Sequence, residues 1–402
     1  MISSAPPFRR STRCAGLELS EIVQISEAAA ALCAKGADVR SFVTGEPDFE
    51  TPIHVVEAAQ KAAPEGETRY PPTQGTAELR AAIAADAVRN ADFCPNPNEI
   101  IVPIGAKQVL SNAFMATLAP GDEVILPAPY WTSYADMARF CGAKVVSVAC
   151  GRLIGFRLTP DALSAAITPK TRWLILNNPG NPSGGHYSSA KLRALAGVLR
   201  ACPEVRVMAE EIYQHITFGR VKSLRAAPPD LAPRTLIVNG VSKACAMTGW
   251  RLGWGIGPAP LIKAMVAVQG QVTSGASSNS QAAALAALTG PQDLLKERCH
   301  AFQERRDLVV SALNAMDGLN CATPGGAFYV FPDGRGTFSK VTPEGEKIGN
   351  DADLCAYILN HAHVALVPDA PLAYRDTSVC PTPMAKMICT KAATATAPPL
   401  PD

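Results

Sequence analysis

The sequence has no long apolar run. None reaches the ~18 residues that a membrane-spanning helix needs, so no such span is expected. Cysteine occurs 12 times but never as a C-x-x-C pair, and the 6 histidines are dispersed. Neither a zinc site nor a disulfide framework is expected, and free thiols fit a reducing cytoplasm. His361 and His363 alone stand close together. On a strand they would share a face and could seed a metal site, but only with further ligands nearby. A structural role is the better reading, and no metal is expected. Net charge is small, +2, with no basic stripe or block of like charge. That argues against nucleic acid as a partner. Residues 1–13 hold arginines and prolines and no apolar stretch, so they read as a frayed arm and not as a secretory signal.

Apolar sequence is plentiful: 48% of 402 residues, enough for a sizeable core in two domains. Residues 20–36 read as a helix with Ser20 as N-cap and Gly36 at its end. From residue 100 apolar strands alternate with helical stretches. Strands are expected at 100–103, 123–126, 145–148, 173–176, 205–208, 236–238 and 252–257. Helices are expected at 106–118, 134–140 and 188–200 between them. Continuous apolar strands joined by helices argue for a mostly parallel sheet covered on both faces. On such sheets ligands sit beyond the carboxyl ends of the strands. An alanine-rich helix at 281–288 ends in Gly290-Pro291, a hinge. A long helix at 299–313 would carry Arg305 and Arg306 on its wet side.

The stretch that organises the chain runs from Val238 to Arg251. It places Lys243 eight residues before Arg251, with small residues and a Thr248-Gly249-Trp250 corner between. A lysine between two apolar strands is a candidate for a lowered pKa and a nucleophilic amine. Other motifs lie at strand ends. Gly105-Ala106-Lys107 stands where a strand becomes a helix, and free N–H groups and the helix dipole there favour a phosphate. Pro129-Tyr130-Trp131 closes the next strand. Asn177-Asn178-Pro179-Gly180-Asn181-Pro182-Ser183-Gly184 and Glu210-Glu211-Ile212-Tyr213 each follow one. Upstream lie Gly45-Glu46-Pro47-Asp48-Phe49 and the block Tyr70, Gly75, Leu79-Arg80. Downstream lies Pro324-Gly325-Gly326-Ala327-Phe328-Tyr329.

Together these strings resemble the aspartate aminotransferase family, class I/II aminotransferases of fold type I that use pyridoxal 5'-phosphate (PLP). The likeness is longest at Ser242-Lys243 with Met247-Thr248-Gly249-Trp250-Arg251-Leu252-Gly253-Trp254, and covers about residues 15–370. It implies an α/β large domain, a mostly parallel seven-stranded sheet flanked by helices, and a smaller α+β domain drawn from both chain ends. The division would be 1–45 for the arm and part of the small domain, 46–289 for the large PLP-binding domain and 290–370 for the small domain. Residues 371–402 would form a divergent, disordered tail. The resemblance implies that Lys243 forms the Schiff base with PLP and then serves as general base and acid. Arg251 would grip the phosphate, with Gly105, Ala106 and Lys107 as its cup; Lys107 either adds charge there or stays solvated. Trp131 would stack on the ring. Asn181 and Tyr213 would donate to its phenolic oxygen, Asn181 also helping to hold the substrate carboxylate. Glu210 would pair with the ring nitrogen. Gly45 would let the backbone approach the substrate carboxylate. Tyr70 would reach the phosphate of a partner subunit, which implies a homodimer.

The chain departs from the family pattern in three places. Glu210 stands where the family has Asp. Gly240 stands where many relatives have a hydroxyl residue near the phosphate, which Ser242 either replaces or does not. After Val364-Ala365-Leu366-Val367-Pro368 the family carries an arginine in an R-[ILF]-S-[YF]-A strand, which binds the substrate α-carboxylate. Here the chain runs Tyr374-Arg375-Asp376-Thr377-Ser378-Val379, and the last segment reads as a shifted frame or a truncation. The expected activity is PLP-dependent transamination between an amino acid and a 2-oxo acid. Aspartate with 2-oxoglutarate leads, followed by aromatic and other neutral amino acids. The alternatives are a PLP-dependent lyase or synthase, or a PLP-binding relative impaired by loss of the arginine.

Overall fold

The computed structural model describes residues 8–14, 17, 21–219, 223–224, 228–368 and 385–388. The expected Ser20 cap and Arg375 lie outside them.

Seven apolar runs form one sheet: β1 (Ile100–Ile101), β2 (Glu123–Ala128), β3 (Lys144–Ala149), β4 (Thr171–Asn177), β5 (Arg206–Glu210), β6 (Thr235–Gly240) and β7 (Gly253–Ile256). Their order across the sheet is β1-β7-β6-β5-β4-β2-β3. The pairs from β6 to β3 are parallel, whereas β7 runs antiparallel to both β6 and β1. The sheet is therefore mostly parallel, as the continuous apolar strands suggested.

Strand alternation divides the core in two. Trp173, Ile175, Met208, Leu236 and Val238 face the helices Ala106–Thr117, Ser133–Phe140 and Ala259–Val272. Leu174, Leu176, Val207, Ala209 and Ile237 face the opposite way, against Ala77–Ala91, Ser189–Arg200 and Ser278–Thr289. A sheet covered on both faces has no side left for polar residues. Helix starts follow their caps: Thr76 accepts from the Leu79 N–H and Ser188 from the Lys191 N–H.

A smaller assembly packs beside this sheet. Arg40–Ser41 pairs in parallel with Val364–Ala365. The strand Ala385–Ile388 lies between Val367–Pro368 and Tyr329–Val330, antiparallel to both. That strand departs from the unstructured tail expected at 371–402, since its backbone completes two open strand edges. The helices Glu21–Ala34, Asp293–Asn314 and Asp351–Ala362 belong to the same assembly.

Two expectations are corrected. Arg305 and Arg306 are not on a wet face; their side chains are 12% and 10% exposed. Arg305 lies 5.0 Å from the Phe49 ring and pairs with Asp48, and Arg306 lies 4.3 Å from the Phe218 ring and donates to the Pro324 carbonyl. Flat guanidinium groups cover aromatic faces, which helical periodicity alone does not foresee. His361 and His363 do not share a strand face. His361 lies in the last turn of the helix Asp351–Ala362, and His363 is its left-handed C-cap at φ 54°. No cluster of potential metal ligands occurs among the described residues.

Candidate active site

Strand direction decides which loops meet. β1, β2, β4, β5 and β6 run the same way, so the chain leaves all of them at one edge of the sheet. β7 runs the other way and begins at that edge, which brings Arg251, just before it, to the same place. Register aligns Asn177, Glu210 and Val238 in one row, and Gly240 pairs with Gly253 beyond it.

Lys243 lies in the turn after β6, and its Nζ donates to the Gly45 carbonyl at 2.6 Å. Burial lowers its pKa to about 8; nearby Glu210 and Glu46 oppose the shift, and the like charge of Arg251 adds to it. Glu210 ends β5 and is buried. The Tyr134 hydroxyl donates to its Oε2. Burial pushes the Glu210 carboxyl up to about 7 against the pull of Lys243 and Lys107.

Tyr213 and Tyr329 share a hydrogen bond between their hydroxyls at 2.7 Å. Burial holds the Tyr213 hydroxyl well above its ordinary pKa, Tyr329 and Glu210 reinforce this, and the Asn181 amide beside it opposes. The Asn181 N–H donates to Asn177 Oδ1 at 2.6 Å, which fixes the loop after β4. Asn181 Oδ1 itself is buried and has no hydrogen-bond partner among the described residues.

The indole of Trp131 has Lys107 Nζ 4.7 Å from its centroid and Tyr134 edge-on at 5.5 Å. The Lys107 pKa is lowered by its partly desolvated setting and then by Arg251. Gly105 begins the helix Ala106–Thr117 at φ +97°, and a Cβ there would lie 2.9 Å from Arg251 Nη2. The guanidinium thus lies against the helix start, steadied by its Nη1 donating to the Thr248 carbonyl at 2.7 Å. Gly45 is equally tight: a Cβ would lie 2.6 Å from the Tyr329 hydroxyl.

The structure therefore brings Gly45, Gly105, Ala106, Lys107, Trp131, Asn181, Glu210, Tyr213, Lys243 and Arg251 to one edge of the sheet. Tyr70 stands apart, 92% exposed. Sequence reasoning missed Tyr134, Tyr329, Asn177 and Glu46, whose Oε1 accepts from the Thr248 hydroxyl at 2.9 Å. Tyr134 and Tyr329 read as core aromatics of a helix and a strand. Only an acid at the end of β5 and a glycine at position 45 hinted that a hydroxyl would be useful beside them.

PLP presents a phosphate, an aldehyde, a phenolic oxygen and a ring nitrogen, and the residues here fit it. Orphan N–H groups at the helix start and the Arg251 guanidinium could hold the phosphate. A lysine lowered to about 8 keeps a substantial neutral fraction near physiological pH, as condensation with an aldehyde requires. The Tyr213 hydroxyl and the Asn181 amide beside it could meet polar atoms at the ring edge, with Glu210 available to the nitrogen.

Comparison with known proteins agrees. Residues 37–388 match the family described as aminotransferase class I and II, which reaches past the segment near 370 where the sequence motifs end. An aspartate aminotransferase of Rhizobium meliloti (strain 1021) is 52% identical over 363 residues, 90% of this chain and 88% of that protein. An aspartate/prephenate aminotransferase of Cereibacter sphaeroides is 46% identical over 87% of this chain and 88% of its own length. The crystal structure of the aspartate aminotransferase from Rhizobium meliloti superposes with a TM-score of 0.92 at 48% identity, covering 97% of this chain and 96% of that one. With the family matched over most of its length and a site that fits the cofactor, the chain belongs to the class I and II aminotransferases and carries out PLP-dependent transamination.

Proposed function

We propose that the amino donor is aspartate and the acceptor 2-oxoglutarate, with Lys243 as the residue that carries the reaction. The observation behind this is the Lys243 amine, lowered to about 8 and set between Glu210, Arg251 and the Gly45 carbonyl. The names of the relatives at 46–52% identity support aspartate. Arg251 stands close enough to Lys107 and Lys243 to lower the pKa of each, and this cluster of cations favours a dianionic substrate.

PLP, when bound, supplies an electron sink for the carbanion left when a substrate Cα–H bond breaks. The protein supplies the rest. Lys243 Nζ would hold the cofactor aldehyde and, once free, would carry the substrate Cα proton as general base and deliver it as general acid to the carbon that bore the aldehyde. Tyr213 Oη and the Asn181 amide donate to the phenolic oxygen. The Glu210 carboxylate would accept the ring N–H and keep that nitrogen cationic, and the positive charge would in turn favour the ionised carboxylate. Arg251 and the backbone N–H groups of Ala106 and Lys107 bind the phosphate, and Trp131 sets the ring plane. Gly45 and Asn181 face the substrate carboxylate.

Tyr70 is exposed in a single chain, which fits a residue that completes the site of a second copy in a homodimer. Sedimentation that gives only the monomer mass at micromolar concentration would refute that assembly. The domain division at 46–289 and 290–370 is supported by the two large clusters, whose fully buried members fall between Val55 and Leu288. Limited proteolysis that leaves no resistant fragment of that extent would count against it. The free cysteines fit the cytoplasm, which fractionation would check.

The decisive assay mixes purified protein, PLP and 2-oxoglutarate with aspartate, an aromatic amino acid or prephenate's amino counterpart. Glutamate formed fastest from aspartate supports the proposal. Faster exchange with either of the others overturns the substrate, and ammonia release without glutamate overturns the reaction.

A further inference from the structure

Glu210 carries its carboxylate on a stem one methylene longer than the aspartate expected there. A longer stem has one more torsion to fix, and holding it costs conformational entropy. The structure meets that demand with Tyr134, from the helix Ser133–Phe140 that follows β2. Tyr134 is 1% exposed, and its hydroxyl donates to Glu210 Oε2. Among the described residues this is the only hydrogen bond to that carboxylate; Asn177 and Asn178 donate instead to the Glu210 backbone carbonyl, at 3.1 and 2.9 Å. The same Tyr134 ring stands edge-on to Trp131. One side chain thus joins the indole that would stack on the cofactor to the carboxylate that would serve its nitrogen. The other titratable groups facing Glu210 are the cations Lys243 and Lys107 and the phenols Tyr213 and Tyr329.

We propose that Tyr134 is a positioning residue for transamination: its hydroxyl fixes the Glu210 carboxylate in the place and charge state that the PLP ring nitrogen requires. The proposal rests on the reading that Glu210 serves that nitrogen. A hydroxyl donated to a carboxylate favours the ionised form. Without it, a buried Glu210 keeps its proton to higher pH and offers the ring a neutral acid. Tyr134 also accounts for how Glu is tolerated at this position, since a shorter carboxylate would draw back from the hydroxyl.

The test uses Tyr134→Phe, Glu210→Gln, Glu210→Asp and the double variant Tyr134→Phe/Glu210→Asp. PLP affinity is measured by titrating cofactor-free protein across pH, and kcat and KM are measured on the loaded enzyme. Tyr134→Phe should weaken PLP about tenfold, the scale of one hydrogen bond to a charged group. It should also move the acid limb of PLP binding to higher pH and lower kcat more than it raises KM. On the Glu210→Asp background the same change should alter affinity less than twofold, because the hydroxyl has already lost its partner. A tenfold loss of equal size on both backgrounds, or Tyr134→Phe leaving affinity and pH limb within twofold of wild type, overturns the proposal. Glu210→Gln separates the two layers. If it leaves PLP affinity and its pH dependence unchanged, the role of Glu210 itself falls. If it alters them while Tyr134→Phe does not, only the role of Tyr134 falls.

Discussion

Gly240 is the position where the chain lacks a hydroxyl that many relatives carry, and the local packing explains why one cannot simply be restored. A Cβ on Gly240 would lie 2.9 Å from Gly253 Cα and 3.0 Å from the Leu252 carbonyl oxygen, with Ile212 Cδ1 at 3.3 Å. The first two are backbone atoms of β7 and the residue before it, so relief requires the β6–β7 pair to separate. Gly240→Ser should therefore destabilise the protein by ~1–3 kcal/mol, as overpacking does, despite adding a polar group near the phosphate seat. Chemical denaturation checks this, and cofactor titration completes it: PLP affinity should not rise. A Gly240→Ser protein as stable as wild type that binds PLP more tightly would show that the strands yield and that the hydroxyl is merely missing. The nearby Ser242 is buried, and its carbonyl accepts the Met247 N–H that closes the turn holding Lys243.

The element that shapes the phosphate end of the site is the helix Ala106–Thr117, which carries Lys107 and whose start meets Arg251. Gly105 takes φ +97°, a conformation costly for any other residue, and has Arg251 Nη2 where a Cβ would go. Gly105→Ala should cost ~1–3 kcal/mol in stability. It should weaken PLP much more than pyridoxal, which lacks the phosphate; equal losses for both would mean that the helix start does not bind that group. The sequence made such elements legible to different degrees. β2 to β6 were visible as apolar runs because helices cover both faces of the sheet, leaving no polar alternation to confuse the reading. That β7 is antiparallel was not visible, since direction depends on the tight Thr248–Trp250 corner and not on the strand's own residues. The lysine, asparagine, tyrosine and arginine of the site stood out through their spacing. Tyr134 did not, because its partner Glu210 is 76 positions away and a buried tyrosine in a helix looks like any core residue. Arg305 and Arg306 misled for a related reason: helical periodicity says which way a side chain points, not that an aromatic face awaits it.

At the scale of the whole molecule, two adjacent buried acids, Glu210 at the end of β5 and Glu211 just after it, contribute to how stability responds to pH. Glu210 faces the site, while Glu211 is buried elsewhere and accepts from the Ser223 hydroxyl at 3.0 Å and the Leu224 N–H at 2.8 Å. Burial raises each carboxyl from 4.5 to about 7, and in Glu211 these two hydrogen bonds only partly oppose it. Below pH 4.5 both the folded and unfolded chains hold these protons, and the groups add no pH dependence. Between 4.5 and 7 the folded chain holds more protons than the unfolded one, so stability declines as pH rises, and above 7 the full cost of burying charge is present. Glu211 isolates the effect because it does not face the cofactor. Glu211→Gln keeps an acceptor for Ser223 and Leu224 but removes the charge. It should match wild type near pH 4.5 and exceed it by up to ~3 kcal/mol above pH 7, the value of a shift of this size. Urea denaturation of both proteins at the two pH values measures the difference. A gap that is the same at both would mean that the variant changed packing and not charge. If wild-type stability rises from pH 4.5 to 7 more steeply than that of Glu211→Gln, the carboxylate is stabilised by its two donors more than it is penalised by burial.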